Sequence, residues 1–425
     1  MAISQPTLSR LVRSAPELFT NFRISGERTP KYGLLRALPS ALNARQPVYQ
    51  VLGDGAIEPF AQMEFLSGGA TLELSDRRNR LYDGLPPYMH FASPSGFLGR
   101  QVARSAALGM LFPANLRDWS EEHRIAFLFA RGFNLPGNLI YGDASLQREM
   151  EFRQLAPVTS DQKLEAFEGM ANQLKDASYG SSAGGEQPKF LSFTQDTGHV
   201  IVKFAKQGSR MADLLVLEHL ALASLDVAWV PAAQTELLTS ENYVFLEVRR
   251  FDRIGAFGRV GMLSAGAIDD EWFGRRDTWS EFAVRCEQAK LLSAEEASRI
   301  HVMAAFSELI GNGDRHFENI SLLADERGRF SRVAPAYDIL PMRYATVGGG
   351  VDPDLLPITP RVGTIGARPV VWDRAFRAAE VFWARVSRNE SPVPIPVAFR
   401  ELATANLTVA RDFVVPLMPT RRQGE

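Results

Sequence analysis

Two stretches of the chain gather side chains that could do chemistry. I-G-N-G-D-R-H-F-E-N-I-S at 310–321 carries Asp314, His316 and Asn319, and A-P-A-Y-D-I at 334–339 carries Asp338. Two carboxylates, an amide and an imidazole suit phosphoryl transfer from a magnesium nucleotide. One carboxylate, Asp314, would orient an attacking hydroxyl and accept its proton, with His316 beside it. The amide oxygen of Asn319 and the carboxylate of Asp338 are hard oxygen donors, the kind that holds Mg2+ against phosphates. The same residues also fit a plain polar turn, with Asp314 capping a helix and His316 satisfied in a core.

The spacing favours the first reading. Protein kinases place an Asn five residues after the catalytic Asp and a metal-binding Asp further on. Here Asn319 follows Asp314 by five positions and Asp338 follows Asn319 by 19. Upstream, Y-G-S-S-A-G-G-E-Q-P-K-F at 179–190 is a polar loop of small residues. Such a loop lets backbone N–H groups approach phosphate oxygens closely. Its candidates are Ser182, Ala183, Gly184, Gly185, Gln187 and Lys189, and Ser181 or Ser182 could itself be phosphorylated. The loop matches neither G-x-x-x-x-G-K-[ST] nor G-x-G-x-x-G, and an ordinary turn has the same composition. In H-V-I-V-K-F at 199–204, Lys203 ends an apolar strand, where a cation can neutralise phosphate charge. Glu218 follows on a helical pattern, and a strand Lys paired with a helix Glu is a kinase requirement. A surface Lys and a solvated Glu are the alternative. In L-E-V-R-R-F-D-R at 246–253, Arg249, Arg250 and Phe251 could form an extended linker offering backbone groups to adenine. Ion pairing among Arg250, Asp252 and Arg253 is the other reading.

The elements that must position these groups follow from periodicity. Strand patterns cover 48–52 and 57–65 around Gly53-Asp54-Gly55, then 190–194, 199–204 and 243–249. Residues 132–141 read as strand or loop. Helical patterns cover 96–108, 120–130, 160–176, 212–225, 278–290, 293–311, 372–388 and 396–416. A helix-poor part followed by a helix-rich part suggests two lobes joined near Arg250. The length of 425 residues fits two or three domains. With 45% hydrophobic and 23% charged residues, a mainly disordered, collagen-like or coiled-coil chain is excluded. The net charge of −2 gives no chain-wide basic footprint for nucleic acid. A single cysteine, Cys286, excludes an intrachain disulfide and a multi-cysteine zinc site. The absence of a long apolar run and of a signal-peptide pattern leads to the expectation of a cytoplasmic protein without membrane partners.

Taken in order, the motifs S-S-A-G-G-E-Q-P-K-F, I-V-K-F, R-R-F-D-R, G-N-G-D-R-H-F-E-N and A-P-A-Y-D resemble those of the HipA-like serine/threonine protein kinases, the persistence-toxin family. The resemblance spans residues 45–415. It implies an α+β, bilobed kinase-like fold, with a mixed N-terminal lobe at 37–250 and a mainly helical C-terminal lobe at 251–425. It implies ATP and Mg2+ as cofactors, Asp314 as the catalytic Asp supported by His316, and Asn319 and Asp338 as metal ligands. Lys203 would contact phosphates, and Arg249 to Phe251 would line the adenine site. Ser182, or its neighbour Ser181, aligns with the serine that autophosphorylates. The resemblance also implies a toxin–antitoxin or growth-control setting, an antitoxin partner, and a protein substrate such as an aminoacyl-tRNA synthetase. Two departures stand out: Arg249 occupies a position that is acidic in many relatives, and Pro188 removes one N–H from the loop. G-D-R-H-x-x-N is also similar to the catalytic loop of phosphoinositide kinases, and antibiotic phosphotransferases carry an H-G-D variant, so a lipid or small-molecule kinase is a competing reading.

The first 36 residues hold Arg10, Arg13, Arg23, Arg28, Lys31 and Arg36 against Glu17 and Glu27. Residues 4–13 read as a helix with Pro6 in its first turn, Leu8, Leu11 and Val12 facing a core, and Gln5, Thr7, Ser9 and Arg10 outward. Strands at 19–24 and 30–35 flank Gly26. The segment resembles the recognition helix and wing of a winged helix-turn-helix, a subgroup feature of the same family. Phosphate contacts would fall to Arg10, Arg13, Arg28 and Lys31, and base edges to Gln5, Thr7 and Ser9. A helix-turn-helix needs an earlier helix, so 1–36 reads as a partial domain. A DNA-binding regulator with a degenerate kinase fold is therefore a third reading, and a mere basic cap on the kinase is the plain one.

Overall fold

The computed structural model describes residues 5–110, 112–178, 187–347 and 350–418. Ser181, Ser182, Ala183, Gly184 and Gly185 of the serine loop lie outside the described residues, as does the side chain of Gln5. Two compact units emerge: residues 1–155 with 257–260, and residues 156–256 with 261–425.

The first unit opens with α1 (Gln5–Ser14), β1 (Phe19–Phe22) and β2 (Lys31–Leu34). The two strands pair antiparallel, Phe19 opposite Leu34 and Phe22 opposite Lys31, around Gly26 at φ +91°. Leu8 is half-buried and Val12 is buried; they lie one helical turn apart on the face that packs inward. Leu11, expected in the core, is 45% exposed. It stands about 100° around the helix from Val12, off a face too narrow to take both. The rest comprises β3 (Arg45–Val51), β4 (Ile57–Phe65), β5 (Thr71–Leu74), β6 (Arg80–Tyr82), α2 (Pro87–Ala92), α3 (Gly96–Met110), α4 (Glu121–Arg131), β7 (Leu139–Tyr141) and α5 (Asp143–Phe152). The strands form one antiparallel sheet in the order β6-β5-β4-β3-β7. Val48, Met63 and Phe65 from the sheet pack on Met89, Ile125, Leu128 and Phe129 from α2 and α4.

The second unit contains every described member of the candidate site. It runs through α6 (Lys163–Ser178), β8 (Lys189–Thr194), β9 (Gly198–Lys206), α7 (Arg210–Ser224), β10 (Thr235–Thr239), β11 (Tyr243–Arg249) and β12 (Arg253–Ile254). After β13 (Gly258–Arg259), which belongs to the first unit, come β14 (Gly261–Ser264), α8 (Ala265–Trp272), α9 (Trp279–Gln288), α10 (Ala294–Ile310), β15 (Ser321–Ala324), β16 (Phe330–Val333), α11 (Pro369–Ser387) and α12 (Val397–Val414). Four strands form an antiparallel sheet in the order β10-β11-β9-β8. Strand alternation splits its residues cleanly. Val200, Val202, Phe204, Phe190 and Phe245 pack on Phe167 and Ala171 of α6. The opposite parity of β9 carries Ile201, Lys203 and Ala205.

The sequence placed a lobe boundary near Arg250. In the structure Leu246 and Val248 of β11 and Leu217 of α7 share one buried cluster with Phe306 of α10, Phe382 of α11 and Phe399 of α12. Sheet and helices are thus joined by a continuous core within one unit. A further small sheet, β14-β15-β16, is antiparallel throughout.

Candidate active site

The candidate catalytic loop begins where α10 ends. Ser293 caps the start of that helix, its Oγ accepting from Glu296 N at 3.3 Å. Gly311 ends it at φ +77°, the left-handed closure that favours glycine. Asn312 is buried; its N–H donates to Ser307 O at 2.8 Å. Its Oδ1 accepts from Asp314 N at 3.0 Å, which aims the Asp314 backbone. Asn319 Nδ2 then donates to Asp314 O at 2.9 Å and lies 3.4 Å from Asp314 Oδ2. The Asn319 amide nitrogen is thereby committed, which leaves its oxygen as the ligand-type atom. His316 Nε2 meets Asp314 Oδ1 at 2.5 Å. Trp279 of α9 donates from Nε1 to His316 O at 3.0 Å, and Phe317 packs on Phe282 with ring centres 5.4 Å apart.

The β15–β16 hairpin returns the chain to this loop. Leu322 stands opposite Val333, and Ala334 N donates to Ser321 O at 2.8 Å. The Tyr337 hydroxyl donates to Glu318 O at 2.8 Å and lies 2.7 Å from Ser321 Oγ. These bonds tether Tyr337 to the residue before Asn319 and so hold its neighbour Asp338 beside the catalytic loop. Asp338 itself adopts φ +53°. A non-glycine residue is uncommon there, and such backbone persists where surrounding contacts impose it.

Lys203 closes the site. Its Nζ lies 2.5 Å from Glu218 Oε1 and also contacts Asp338 Oδ1. Lys203 and Glu218 are fully buried. Burial pushes the Lys203 ammonium down, but the carboxylates of Asp338 and Glu218 outweigh it and hold it above its ordinary value. Burial pushes Asp338 up, but Lys203 overrides it and brings the carboxyl to about 2. Glu218 lies above its usual range, through burial and the negative charge of Asp338, against the pull of Lys203. One cation thus faces two carboxylates. Fully ionised, the triad carries one excess negative charge, which suits a nearby metal cation. The donor set also fits Mg2+: an amide oxygen and an ionised carboxylate are hard ligands, leaving other positions to phosphate and water. Among the described residues no group of three or more His, Cys, Asp or Glu side chains could hold a metal on its own.

Residues 42–150 match the family model for the YjjJ-like toxin, middle domain, and residues 181–364 match the HipA-like C-terminal domain. Toxin YjjJ of Escherichia coli K12 is 32% identical over 415 residues, covering 95% of this chain and 91% of that protein. The chain belongs to the HipA-like toxin family. A chain from the Shewanella oneidensis MR-1 toxin–antitoxin complex of HipA, HipB and operator DNA has TM-score 0.53 and 16% identity, over 87% of this chain and 99% of that one. The α+β, kinase-like fold of the HipA type is therefore shared.

Not every expected residue of the HipA-like motifs joins the cluster. Arg249 is exposed and its Nη1 donates to Gln234 Oε1 at 3.1 Å. The backbone N–H groups of Arg249 and Arg250 donate to Gln234 O and His199 O, so neither is held in reserve for adenine. Arg250 grips Asp252 with two bonds of 3.0 and 2.8 Å, and Arg253 reaches the same carboxylate at 2.7 Å. The ion pairs expected among Arg250, Asp252 and Arg253 are thus present. Phe251 lies against Tyr337, ring centres 5.6 Å apart. Lys189 faces Lys203 across the β8–β9 ladder, and Gln187 Nε2 donates to Phe204 O.

Sequence reasoning passed over Asn312, Tyr337 and the half-buried Leu191 and Ile201. Ile201 is two residues before Lys203 on β9, and Leu191 is its partner on β8. The strand alternation around Lys203 carried that signal. In the first unit, Thr7, Arg10, Arg13 and Arg28 are exposed and Ser9 is half-buried. Lys31 is paired with Glu27 at 2.9 Å. No helix among the described residues is long and apolar enough to cross a membrane.

Proposed function

We propose that the chain is an ATP- and Mg2+-dependent protein serine/threonine kinase acting as a HipA-type toxin. The reading rests on one observation above all: the buried Lys203 and Glu218 meet the half-buried Asp338 beside the loop that carries Asp314 and Asn319. Asp314 orients the acceptor hydroxyl and takes its proton. Asn319 fixes Asp314 through Nδ2, and its oxygen together with the Asp338 carboxylate would hold Mg2+. Lys203 pairs with phosphate oxygens. When bound, Mg2+ supplies neutralisation of the charge on the transferring phosphoryl group. Leu191 and Ile201 give the base an apolar surface on the strand face that bears Lys203.

The serine loop supplies the autophosphorylation site, Ser182 or the adjacent Ser181. A solved relative that shares this fold comes from a complex of HipA, HipB and operator DNA. By that analogy an antitoxin protein and DNA are partners of this chain, with Arg10, Arg13 and Arg28 exposed for phosphate contacts. The site of action is the cytoplasm and the substrate a protein, an aminoacyl-tRNA synthetase being the class that the family suggests. Incubation with labelled ATP and Mg2+ tests the reading. Phosphate on a serine or threonine of the chain or of an added protein supports it. Transfer to a lipid or sugar alone, or no nucleotide binding, contradicts it.

A further inference from the structure

A second recess opens against Asp314 and His316. It is a cleft of about 540 Å3 lined by the start of α9, the last turns of α10, the catalytic loop and residues 362–365. Lys203, Asn319 and Asp338 do not line it. It therefore reaches the catalytic Asp from a side other than the one that carries the triad and the candidate metal ligands. Its size falls in the range of ligand-binding pockets, about 300–1,000 Å3.

The lining mixes polar and apolar groups, and its carboxylates other than Asp314 are already paired. Asp277 is held by Arg285 through bonds of 2.6 and 2.7 Å. Glu308 is paired with Arg315 at 2.6 Å and accepts from Arg361 N at 3.1 Å. The hydroxyls of Thr278 and Thr364 meet across the rim at 2.8 Å. Ser280 differs from all of these. It is 2% exposed, it lines the cleft, and its Oγ is buried with no partner among the described residues. A buried hydroxyl is ordinarily hydrogen-bonded, so Ser280 is a group awaiting a ligand.

We propose that this cleft seats the acceptor segment of the protein substrate and selects an uncharged one. The inference rests on the kinase reading above and names the substrate class of that site. A serine or threonine side chain in the cleft faces Asp314 directly. Its oxygen forms the new bond to phosphorus as the bond to the bridging oxygen of ATP breaks; its proton passes to Asp314 and ADP leaves. Ser280 hydrogen-bonds the segment beside the acceptor. Because Asp277 and Glu308 are already neutralised, neither offers a free charge to a basic or acidic flank.

A peptide library with a fixed central serine and degenerate flanks, supplied with ATP and Mg2+, tests this. The native chain should prefer uncharged residues at the positions flanking the serine. Thr364→Trp, at an exposed rim position, fills the cleft and should lower peptide phosphorylation at least tenfold while ATP affinity is retained. Ser280→Ala removes one hydrogen bond and should raise the peptide KM about fivefold with the KM for ATP unmoved. Native rates in both variants, a clear preference for charged flanks, or phosphate delivered only to a lipid or sugar overturns the proposal. A native chain that binds no ATP instead removes the kinase reading beneath it, so the two failures are told apart.

Discussion

Lys203 is the residue on which the site turns, because it holds Glu218 and Asp338 at once in a buried setting. Removing one partner of a buried ion pair leaves the other charge uncompensated. Lys203→Met should therefore cost about 3–5 kcal/mol in denaturant unfolding and abolish nucleotide binding. The pH dependence has a definite sign. Asp338 falls from its usual 3.8 to about 2 on folding, so its contribution is complete above pH 3.8 and fades as pH drops toward 2. Lys203 is raised from 10.5, so its contribution is complete below that value and fades only at higher pH. In Lys203→Met the acid loss between pH 3.8 and 2 should shrink. The types and order of Lys203, Glu218 and Asp338 were legible in the sequence. Their mutual contact was not, since it depends on the β15–β16 return and on the left-handed backbone of Asp338. The Arg250–Asp252 ion pair was legible as one reading, but the backbone bonds of Arg249 and Arg250 to Gln234 and His199 were not, because they depend on how the strands come together.

At the scale of elements, the end of α10 sets the catalytic loop. Gly311 is left-handed, and a Cβ there would lie 3.2 Å from Ile358 Cγ2. Gly311→Ala should destabilise the fold by about 1–2 kcal/mol, read from thermal unfolding, and slow phosphoryl transfer by displacing Asp314. Long segments such as α4, α10, α11 and α12 were readable, as were β4 and β11, because each is long enough for its apolar residues to stand out from the flanking turns. The four-residue strands β14, β15 and β16 were not. S-L-L-A and F-S-R-V are too short to show alternation, and it is their pairing that creates them. That hairpin carries Asp338 back to the catalytic loop, so the least legible elements hold a critical part of the site.

For the whole molecule, a net charge of −2 conceals a basic N-terminal segment. Arg10 and Arg13 are exposed on α1. An Arg10→Glu/Arg13→Glu variant should bind duplex DNA at least tenfold more weakly and lower the salt slope by about 2, with phosphoryl transfer unaltered. The order of the longer elements followed from the sequence, whereas the division near residue 155 did not. It reflects which apolar faces share a core, and β11, α7 and α10 pack into one cluster whatever the local composition near Arg250 suggests. The proposed phosphoryl transfer depends on Asp314. The most direct measurement is mass spectrometry of the native chain and Asp314→Asn after incubation with ATP and Mg2+, alone and with a bacterial protein extract. The native chain should yield phosphoserine or phosphothreonine, and the variant should lose about 10²–10⁴-fold with unchanged thermal unfolding. Equal phosphorylation by the two proteins, or none by the native chain together with no ATP binding, would contradict the proposal.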